Sequence, residues 1–137
     1  MSYVAEPNET ASTFFARIWL DNDEGLHNEY RNAARAALKT ATLWGFSPTG
    51  EINRVADAIK EVYSDHLDEM IETIVPYGPA HMLAGVVQAH VEDVDFKPIA
   101  EVYMYDMSTE AEEWRRRWVE GGRQKKAELA EHYHQDR

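Results

Sequence analysis

One long repeat of apolar residues dominates this 137-residue sequence. Its members recur at spacings of three and four, which is the periodicity of an amphipathic α-helix. The repeat comprises Ile52, Val55, Ala56, Ile59, Val62, Tyr63, Leu67, Met70, Ile71 and Ile74. It ends where Pro76 begins the turn sequence PYGP. The pattern therefore predicts a helix of about 52–75 as the spine of the fold.

Shorter repeats predict further helices on both sides of this one. Paired aromatic and apolar residues favour a helix over about 10–20, and an alanine-rich repeat favours one from Leu26 to about Trp44 and Gly45. A more apolar helix is expected over about 80–91, in the most deeply buried position. Asp95 is expected to cap a short helix that runs to about Tyr105, although 102–107 also suits a strand.

The C-terminal part of the sequence predicts a last helix that ends in a polar tail. Ser108 or Thr109 is expected to cap a last helix, and Thr109 with Glu112 has the form of a capping box. Trp114 and Trp118 lie one turn apart and could dock this helix on the body or on a second copy. Two glycines at 121–122 are expected to interrupt it before a solvated helical tail. The predicted fold is an all-α, single-domain bundle of five or six helices with a long central helix.

Charge divides the chain into two parts. Residues 1–108 hold 18 acidic and 7 basic side chains, a net charge of −11, whereas residues 109–137 hold 7 of each. We expect an acidic helical body over 1–108 and a charge-balanced helix or tail over 109–137 that is not an independent domain. An acidic body repels nucleic acid and anionic lipid and attracts basic protein surfaces. We therefore expect no direct DNA binding and no membrane binding.

Several other classes are disfavoured by what the sequence lacks. It has no cysteine, so disulfides, thiolate metal sites and cysteine nucleophiles are excluded. The N-terminus has no basic start and no apolar stretch, and no segment has the ~18 apolar residues of a membrane span. The sequence therefore favours a cytoplasmic protein.

The run DNDEG, residues 21–25, raises a calcium hypothesis. An EF-hand loop needs a glycine at its sixth position and a glutamate at its twelfth. Starting at Asp21, those positions hold Leu26 and Asn32, and the register that places Gly25 sixth also fails. Asp23 is instead interpreted as the N-cap of the following helix.

Metal and catalytic motifs are weak throughout. The spacing Glu-x-x-His, used by di-metal carboxylate bundles, occurs at Glu24–His27 and Glu131–His134, but the second pair lies in the polar tail. His132 and His134 suit only adventitious zinc or nickel. No nucleophile elbow, phosphate loop or dinucleotide motif is present, and His81 and His90 are interpreted as core or cap histidines. We predict no catalytic residues, no cofactor and no resident metal.

The polar face of the long helix carries a row of carboxylates. The row is Asp57, Glu61, Asp65, Asp68, Glu69 and Glu72. Like charges four residues apart destabilise the helix that carries them, so the row lowers the stability of this helix. It suits a solubilising surface or a partner-binding surface that imitates nucleic acid. Successive carboxylates about 6 Å apart are sparser than the ~3.4 Å phosphate spacing of a DNA strand.

A mimic of nucleic acid therefore needs a second acidic row beside the first. One candidate row is Glu92, Asp93, Asp95, Glu101 and Asp106, of which the first three are included in the predicted partner-binding site. The other candidate row is Asp21, Asp23, Glu24 and Glu29. The basic tail segments WRRRW and GGRQKK favour a salt-bridged solvated helix, or one that folds onto the acidic body of the same or a second copy. Weak RNA contact through Arg115–Arg117 is opposed by the charge of the body.

The stretches IWLDNDEGLHNEYRNAA and FKPIAEVYM resemble small acidic helical proteins encoded by bacteriophages and actinobacterial mobile elements. In those proteins an aromatic and acidic N-terminal block precedes the helices, and a short segment reads Asn or Asp, Trp, then Ile-Ala. Here Phe96 replaces the tryptophan and Pro98 an acidic residue. The resemblance implies a mobile-element context and no catalytic residues.

Three functions follow from these patterns. The leading hypothesis is a non-enzymatic phage-type binder that blocks the basic, nucleic-acid-binding surface of a host defence protein in the host cytoplasm. The alternative is a structural or regulatory homo-oligomer, such as a dimer, held together by Trp114, Trp118 and the alanine-rich helix. The third is a metal-dependent enzyme.

Overall fold

A computed structural model describes residues 9–74 and 80–135, with side chains described except at 74, 80–82 and 124–135. Six α-helices lie in these ranges, and no strand occurs among the described residues. They are α1 (Ala11–Asn22), α2 (Glu24–Leu43), α3 (Pro48–Ile74), α4 (Ala80–Asp93), α5 (Lys97–Asp106) and α6 (Ser108–Gln135). The prediction of an all-α helical bundle with a long central helix is confirmed.

Short-range capping explains the starts of the first three helices. The side chain of Thr10 accepts a hydrogen bond from the backbone N–H of Thr13, and the Asp23 carboxylate accepts one from Leu26 at 2.9 Å. The Ser47 hydroxyl accepts from the Gly50 N–H, and Pro48 is the first residue of α3. Each cap satisfies a backbone donor that the helix itself leaves unpaired. Asp23 is thus a cap, as its position in the sequence predicts.

The helices α2 and α3 form a hairpin around the centre of the core. Gly45 between them has φ of 72°, a left-handed conformation that glycine adopts without steric cost and that reverses the chain. Ala34 and Ala41 on α2 are fully buried and let α3 approach closely, while Ile59 and Tyr63 fill the inner face of α3. The predicted spine is therefore the central helix, and its inner face is dry.

The other helices cover this hairpin with smaller contact surfaces. Buried residues come from α1, the end of α4, the α4–α5 junction, α5 and the start of α6. They are Ala16, Leu20, Val91, Val94, Phe96, Ile99, Ala100, Tyr103, Ala111 and Trp114. One contiguous core therefore joins all six helices.

Helix α4 does not have the burial that its composition predicts. Val91 is buried, but Leu83 is 37% exposed and Val86 is 67% exposed. The expectation that this apolar helix is the most deeply buried is wrong, because it lies at the edge of the bundle and contacts mainly α3 and α1. Its outward apolar side chains have no cover from the described part of the chain.

The segment 102–107, for which a strand was an alternative, is helical through Asp106. Phe96, not Asp95, occupies the N-cap position of α5, and the Asp95 carboxylate accepts a hydrogen bond from the N–H of Lys97, two residues later. Helix α6 begins at Ser108, so Ser108 and Thr109 both lie within its first turn and neither occupies the predicted cap position.

Of the two tryptophans of α6, Trp114 packs against the body of the bundle and Trp118 does not. Trp114 is buried beneath the Arg35 guanidinium, which lies 5.6 Å from its ring centre, whereas Trp118 is 52% exposed. Helix α6 continues through Gly121 and Gly122 to Gln135, so the predicted interruption is wrong. None of the helices, as far as the chain is described, is both long and apolar enough to cross a membrane.

Candidate protein-binding surface

The six carboxylates predicted to form a row all lie on the solvent side of α3. Asp57, Glu61, Asp65, Asp68, Glu69 and Glu72 are exposed. On a helix with 3.6 residues per turn they fall within a sector of about 120°, opposite the buried face that contains Val55, Ile59 and Tyr63. Because the core holds α3 through that opposite face, the row has a fixed position on the surface of the bundle.

No member of the row forms an ion pair within the described residues. The arginines pair with other carboxylates: Arg17 with Glu9, Arg31 with Asp106, Arg35 with Glu110, Arg115 with Glu51 and Arg117 with Glu113. Arg115 and Arg117, near the C-terminus, therefore do not neutralise the row. Arg54 and Lys60 are the basic residues on α3 itself. The row keeps a negative field that a partner can meet.

Two clefts flank the row, one on each side of α3. The cleft between α2 and α3 has a volume of about 400 Å³ and the cleft between α3 and α4 about 360 Å³. The first is lined by Ala36, Ala37, Thr40, Arg54, Asp57, Ala58 and Glu61. The second is lined by Lys60, Ser64, Asp68, Ala84, Val87, Gln88, Val91 and Glu92. Glu92 on α4 thus shares a cleft with Asp68 and extends the row across to a second helix.

The other two acidic residues of the predicted site, Asp93 and Asp95, lie at the junction of α1, α4 and α5 and form hydrogen bonds there. The carbonyl oxygen of Asp93 accepts from the Thr10 hydroxyl at 3.3 Å. The backbone N–H of Asp95 donates to the Thr13 hydroxyl at 2.8 Å, while its carboxylate accepts from Lys97. Both side chains are exposed, but Asp95 stabilises the start of α5. Of Glu92, Asp93 and Asp95, Glu92 best matches the prediction of a second acidic row beside the first.

The alternative second row, on α1 and α2, lies in a different setting. Asp21 lines a cleft of about 200 Å³ between α1, α2 and α5, together with Arg17, His27 and Arg31. Burial raises the pKa of Asp21, and the nearby His27, Arg17 and Arg31 act in the opposite direction. Positive and negative groups alternate around this cleft, so it does not present a surface of one sign.

The two tyrosines of this cleft are also removed from water. Burial raises the pKa of Tyr30 and the pKa of Tyr103 above the usual value. The Arg31 guanidinium lies 5.2 Å from the centre of the Tyr103 ring, close enough for a cation–π contact. Sequence reasoning did not predict this cluster, because its members come from three helices with no shared motif. Its contacts join α1, α2 and α5.

A second polar contact that the sequence did not predict lies inside the α3–α4 interface. The Tyr63 hydroxyl and Nε2 of His90 share a hydrogen bond of 2.7 Å. Burial raises the pKa of Tyr63 to about 12 and lowers the pKa of His90, which Asp93 partly offsets. His90 also packs edge-on against Phe15. It is therefore a packed interface histidine, as predicted; His81 lies outside the described side chains.

No group of three or more histidine, aspartate or glutamate side chains within metal-binding reach occurs among the described residues. His27 of the Glu24–His27 pair faces the Leu20 carbonyl and the Tyr30 ring instead. The Glu131–His134 pair and His132 lie outside the described side chains. At the first occurrence of the Glu-x-x-His spacing, His27 thus makes contacts within the protein.

Comparisons of the chain with protein families, with curated proteins and with solved structures give no match in any of the three.

Proposed function

We propose that this chain is a non-enzymatic acidic binding protein that occupies the basic, nucleic-acid-binding surface of another protein. In the phage or mobile-element context that its sequence resembles, the partner is a host defence protein such as a restriction or CRISPR nuclease. The observation that carries the proposal is the row on α3: six exposed carboxylates in one sector, none in an ion pair within the described residues.

The distribution of ion pairs supports a binding role over solubility alone. Solubility requires net charge and does not require that charge to be concentrated. Among the described residues, five arginines pair with carboxylates on α3, α5, α6 or the segment before α1, and the α3 row is left without such pairs. A concentrated negative field attracts cationic surfaces and accelerates encounter with them.

The spacing of the charges sets what the surface can imitate. One helix presents a carboxylate about every 6 Å, which is sparser than a DNA strand. Glu92, across the α3–α4 cleft from Asp68, adds a charge from a second helix. The surface therefore suits a cationic cleft that contacts few phosphates better than a long duplex-binding channel.

A charge-reversal experiment tests the proposal. The variant Asp57→Lys, Glu61→Lys, Asp65→Lys and Asp68→Lys reverses four of the six charges of the row and leaves the inner face of α3 unchanged. The matched control reverses four exposed carboxylates elsewhere, Glu29, Glu101, Glu112 and Glu120, which gives the same change in net charge. Both are immobilised beside the native chain and exposed to host lysate over a salt series.

The expected result is retention of nucleic-acid-binding proteins by the native chain and the control variant, with release by salt or by added duplex DNA. The row variant should lose them, because like charges then face each other. Equal retention by all three chains, or retention that DNA does not displace, would refute mimicry.

The second candidate is a homo-oligomer, and the exposed aromatic side chains near one end of the bundle favour it. Trp118 is 52% exposed and Trp44, in the α2–α3 connection, is 76% exposed. The Arg115–Glu51 ion pair fixes this part of α6 beside the start of α3. If copies assemble here, light scattering should give a multiple of 15.8 kDa for the native chain. Trp118→Ala should then return the monomer, and because that side chain is exposed, the fold should survive.

A further inference from the structure

A cleft of about 330 Å³ lies along one face of α1 and ends at the junction with α2. Its lining residues among the described part of the chain are Phe15, Ile18, Trp19, Asn22 and Asp23. Positions three and four apart share a face of a helix, so these side chains surround one surface site. The cleft is open to solvent, which suits a side chain that another protein presents.

Two aromatic rings form much of the wall of this cleft. Phe15 is 52% exposed, and its ring centre lies 5.6 Å from that of Trp19 at an interplanar angle of 52°. The indole Nε1 of Trp19 is buried and has no hydrogen-bond partner among the described residues. Because this polar edge is turned inward, the indole presents carbon atoms to the cleft. The negative faces of aromatic rings attract cations.

The carboxylate of Asp23 supplies a negative charge at the end of the cleft. Its Oδ1 accepts the capping hydrogen bond from Leu26, and the side chain is still 41% exposed. Its Oδ2 lies 3.9 Å from Nε2 of His66, which is too far for a hydrogen bond. The His66 ring lies edge-on to Trp19, with the ring centres 6.4 Å apart. Oδ2 is therefore close to the aromatic wall and available to a donor from a partner.

The contact between Asp23 and His66 also relates this cleft to the carboxylate row of α3. Glu69, a member of the row, follows His66 by three residues, so the two positions are neighbours on the helix surface. The cleft therefore lies near the Glu69 end of the row. A cation held in the cleft is attracted both by Asp23 and by the field of the row.

We propose that this cleft receives an arginine side chain from the basic surface of the partner. The guanidinium would stack against Phe15 and Trp19 and donate a hydrogen bond to Oδ2 of Asp23. Arginine suits the cleft better than lysine, because its planar and weakly hydrated group both stacks on aromatic rings and binds carboxylates. Arginine is also enriched among the residues that contribute most to binding at protein interfaces. The proposal rests on the proposed function, since it names one residue of the cationic partner and the place that holds it.

Three short peptides with blocked termini serve as probes. They are identical except at a central position, which holds arginine, lysine or citrulline, the uncharged isostere of arginine. Each is titrated into the ¹⁵N-labelled full-length chain at about 0.15 M salt, where long-range charge effects are screened. Amide and indole shifts give both the position and the affinity of binding.

The shifts caused by the arginine peptide should centre on residues 15–23. The lysine peptide should bind at least about threefold more weakly, because an ammonium group cannot stack on the rings in the same way. The citrulline peptide should bind at least about tenfold more weakly, because it has no charge to interact with the rings or with the carboxylate.

Two variants with matched controls test the roles of the carboxylate and the ring. Asp23→Asn removes the charge and keeps the cap, since asparagine caps helices as well as aspartate, and it should weaken the arginine peptide about fivefold. Glu101→Gln removes one exposed charge from α5 and should have no effect. Phe15→Leu should weaken binding about threefold through loss of the ring. Tyr105→Leu removes an 82% exposed ring from α5 and should have no effect.

Equal affinity for the arginine and citrulline peptides would overturn the proposal, and so would shifts centred elsewhere or an unchanged affinity of Asp23→Asn. The charge-reversal experiment on the α3 row then still decides the proposed function. Conversely, if reversal of the row leaves lysate partners bound while the arginine peptide binds at 15–23 as expected, the cleft is an arginine site and nucleic-acid mimicry fails.

Discussion

Helices α3 and α4 lie side by side but use their side chains in opposite ways. Helix α3 carries seven acidic residues and still buries Val55, Ile59 and Tyr63 completely. Helix α4 has few charges, yet its apolar residues Leu83 and Val86 face outward. The comparison shows that burial depends on where a helix lies in the bundle, not on how apolar it is. Helix α3 is held by the core, whereas α4 leaves part of its apolar surface exposed.

The largest expected difference between the two helices is the effect of cavity formation. Ile59→Ala should lower the free energy of unfolding by about 2–5 kcal/mol, because Ile59 is fully buried. Val86→Ala should change it by no more than about 0.5 kcal/mol, because Val86 is exposed. Urea denaturation of both variants measures the contrast. Similar losses would mean that α4 is covered in solution and that the comparison is wrong.

A second expected effect concerns how α6 is attached to the start of α3. The Glu51 side chain is 4% exposed and its carboxylate lies 2.6 Å from Nη2 of Arg115, which is half-exposed. Arg115→Ala should cost about 2–3 kcal/mol, because it leaves a buried carboxylate without its partner. Arg116→Ala is the matched control, since Arg116 is exposed and forms no ion pair among the described residues. An equal effect of both changes would show that the ion pair does not anchor α6.

A smaller effect is expected from pH at the α3–α4 interface. Burial lowers the pKa of His90 below 6.5, so between that value and the folded pKa the unfolded chain binds more protons. Stability should therefore fall as pH decreases through about 6.5. The groups that face His90 are the Tyr63 hydroxyl, the Phe15 ring and Asp93.

Urea midpoints of the native chain and His90→Gln at several pH values measure this contribution. In the variant the urea midpoint should depend less steeply on pH. An identical pH dependence in both chains would contradict a contribution from His90. At the alkaline end the sign reverses, because the folded chain keeps the Tyr63 proton to about pH 12 and the unfolded chain releases it near 10.0. Stability should then fall as pH rises through that range.

The smallest expected effect is the cost of the acidic row to α3. Asp65 has like charges four residues before and after it, Glu61 and Glu69, so Asp65→Asn should raise stability by a few tenths of a kcal/mol. Glu101→Gln on α5 should give no gain, because Lys97 lies four residues before it. Salt should reduce the gain from Asp65→Asn. A loss of stability would mean that Asp65 makes a favourable contact that offsets the repulsion.

Local signals allowed much of the fold to be predicted from the sequence. Asp23 acts on a backbone group three residues away, and the apolar period of α3 depends on one helix alone. Glycines predict the end of a helix less reliably, since α6 continues through Gly121 although a break was expected. A helical period can tolerate a residue of poor propensity when its neighbours favour the helix.

Features that depend on two distant segments could not be predicted in this way. Burial of Glu51 depends on the position of α6, and the Tyr63–His90 hydrogen bond depends on the packing of α4 against α3. The α3 row was predicted because it lies on one helix, whereas the proximity of Glu92 to Asp68 required the fold. Asp95 is near Glu92 in sequence, but its carboxylate accepts a hydrogen bond from the Lys97 N–H at the start of α5.

The two adjacent glycines of α6 have a consequence for the dynamics of the chain. A methyl group at Gly121 or Gly122 would meet no atom within 4 Å, so neither glycine is required for packing. Each lowers helix propensity by about 1 kcal/mol relative to alanine. Backbone amides of α6 should therefore exchange with deuterium in two classes, slowly up to Trp114 and rapidly beyond the glycines. Replacing both by alanine should merge the classes and leave the acidic surface untouched.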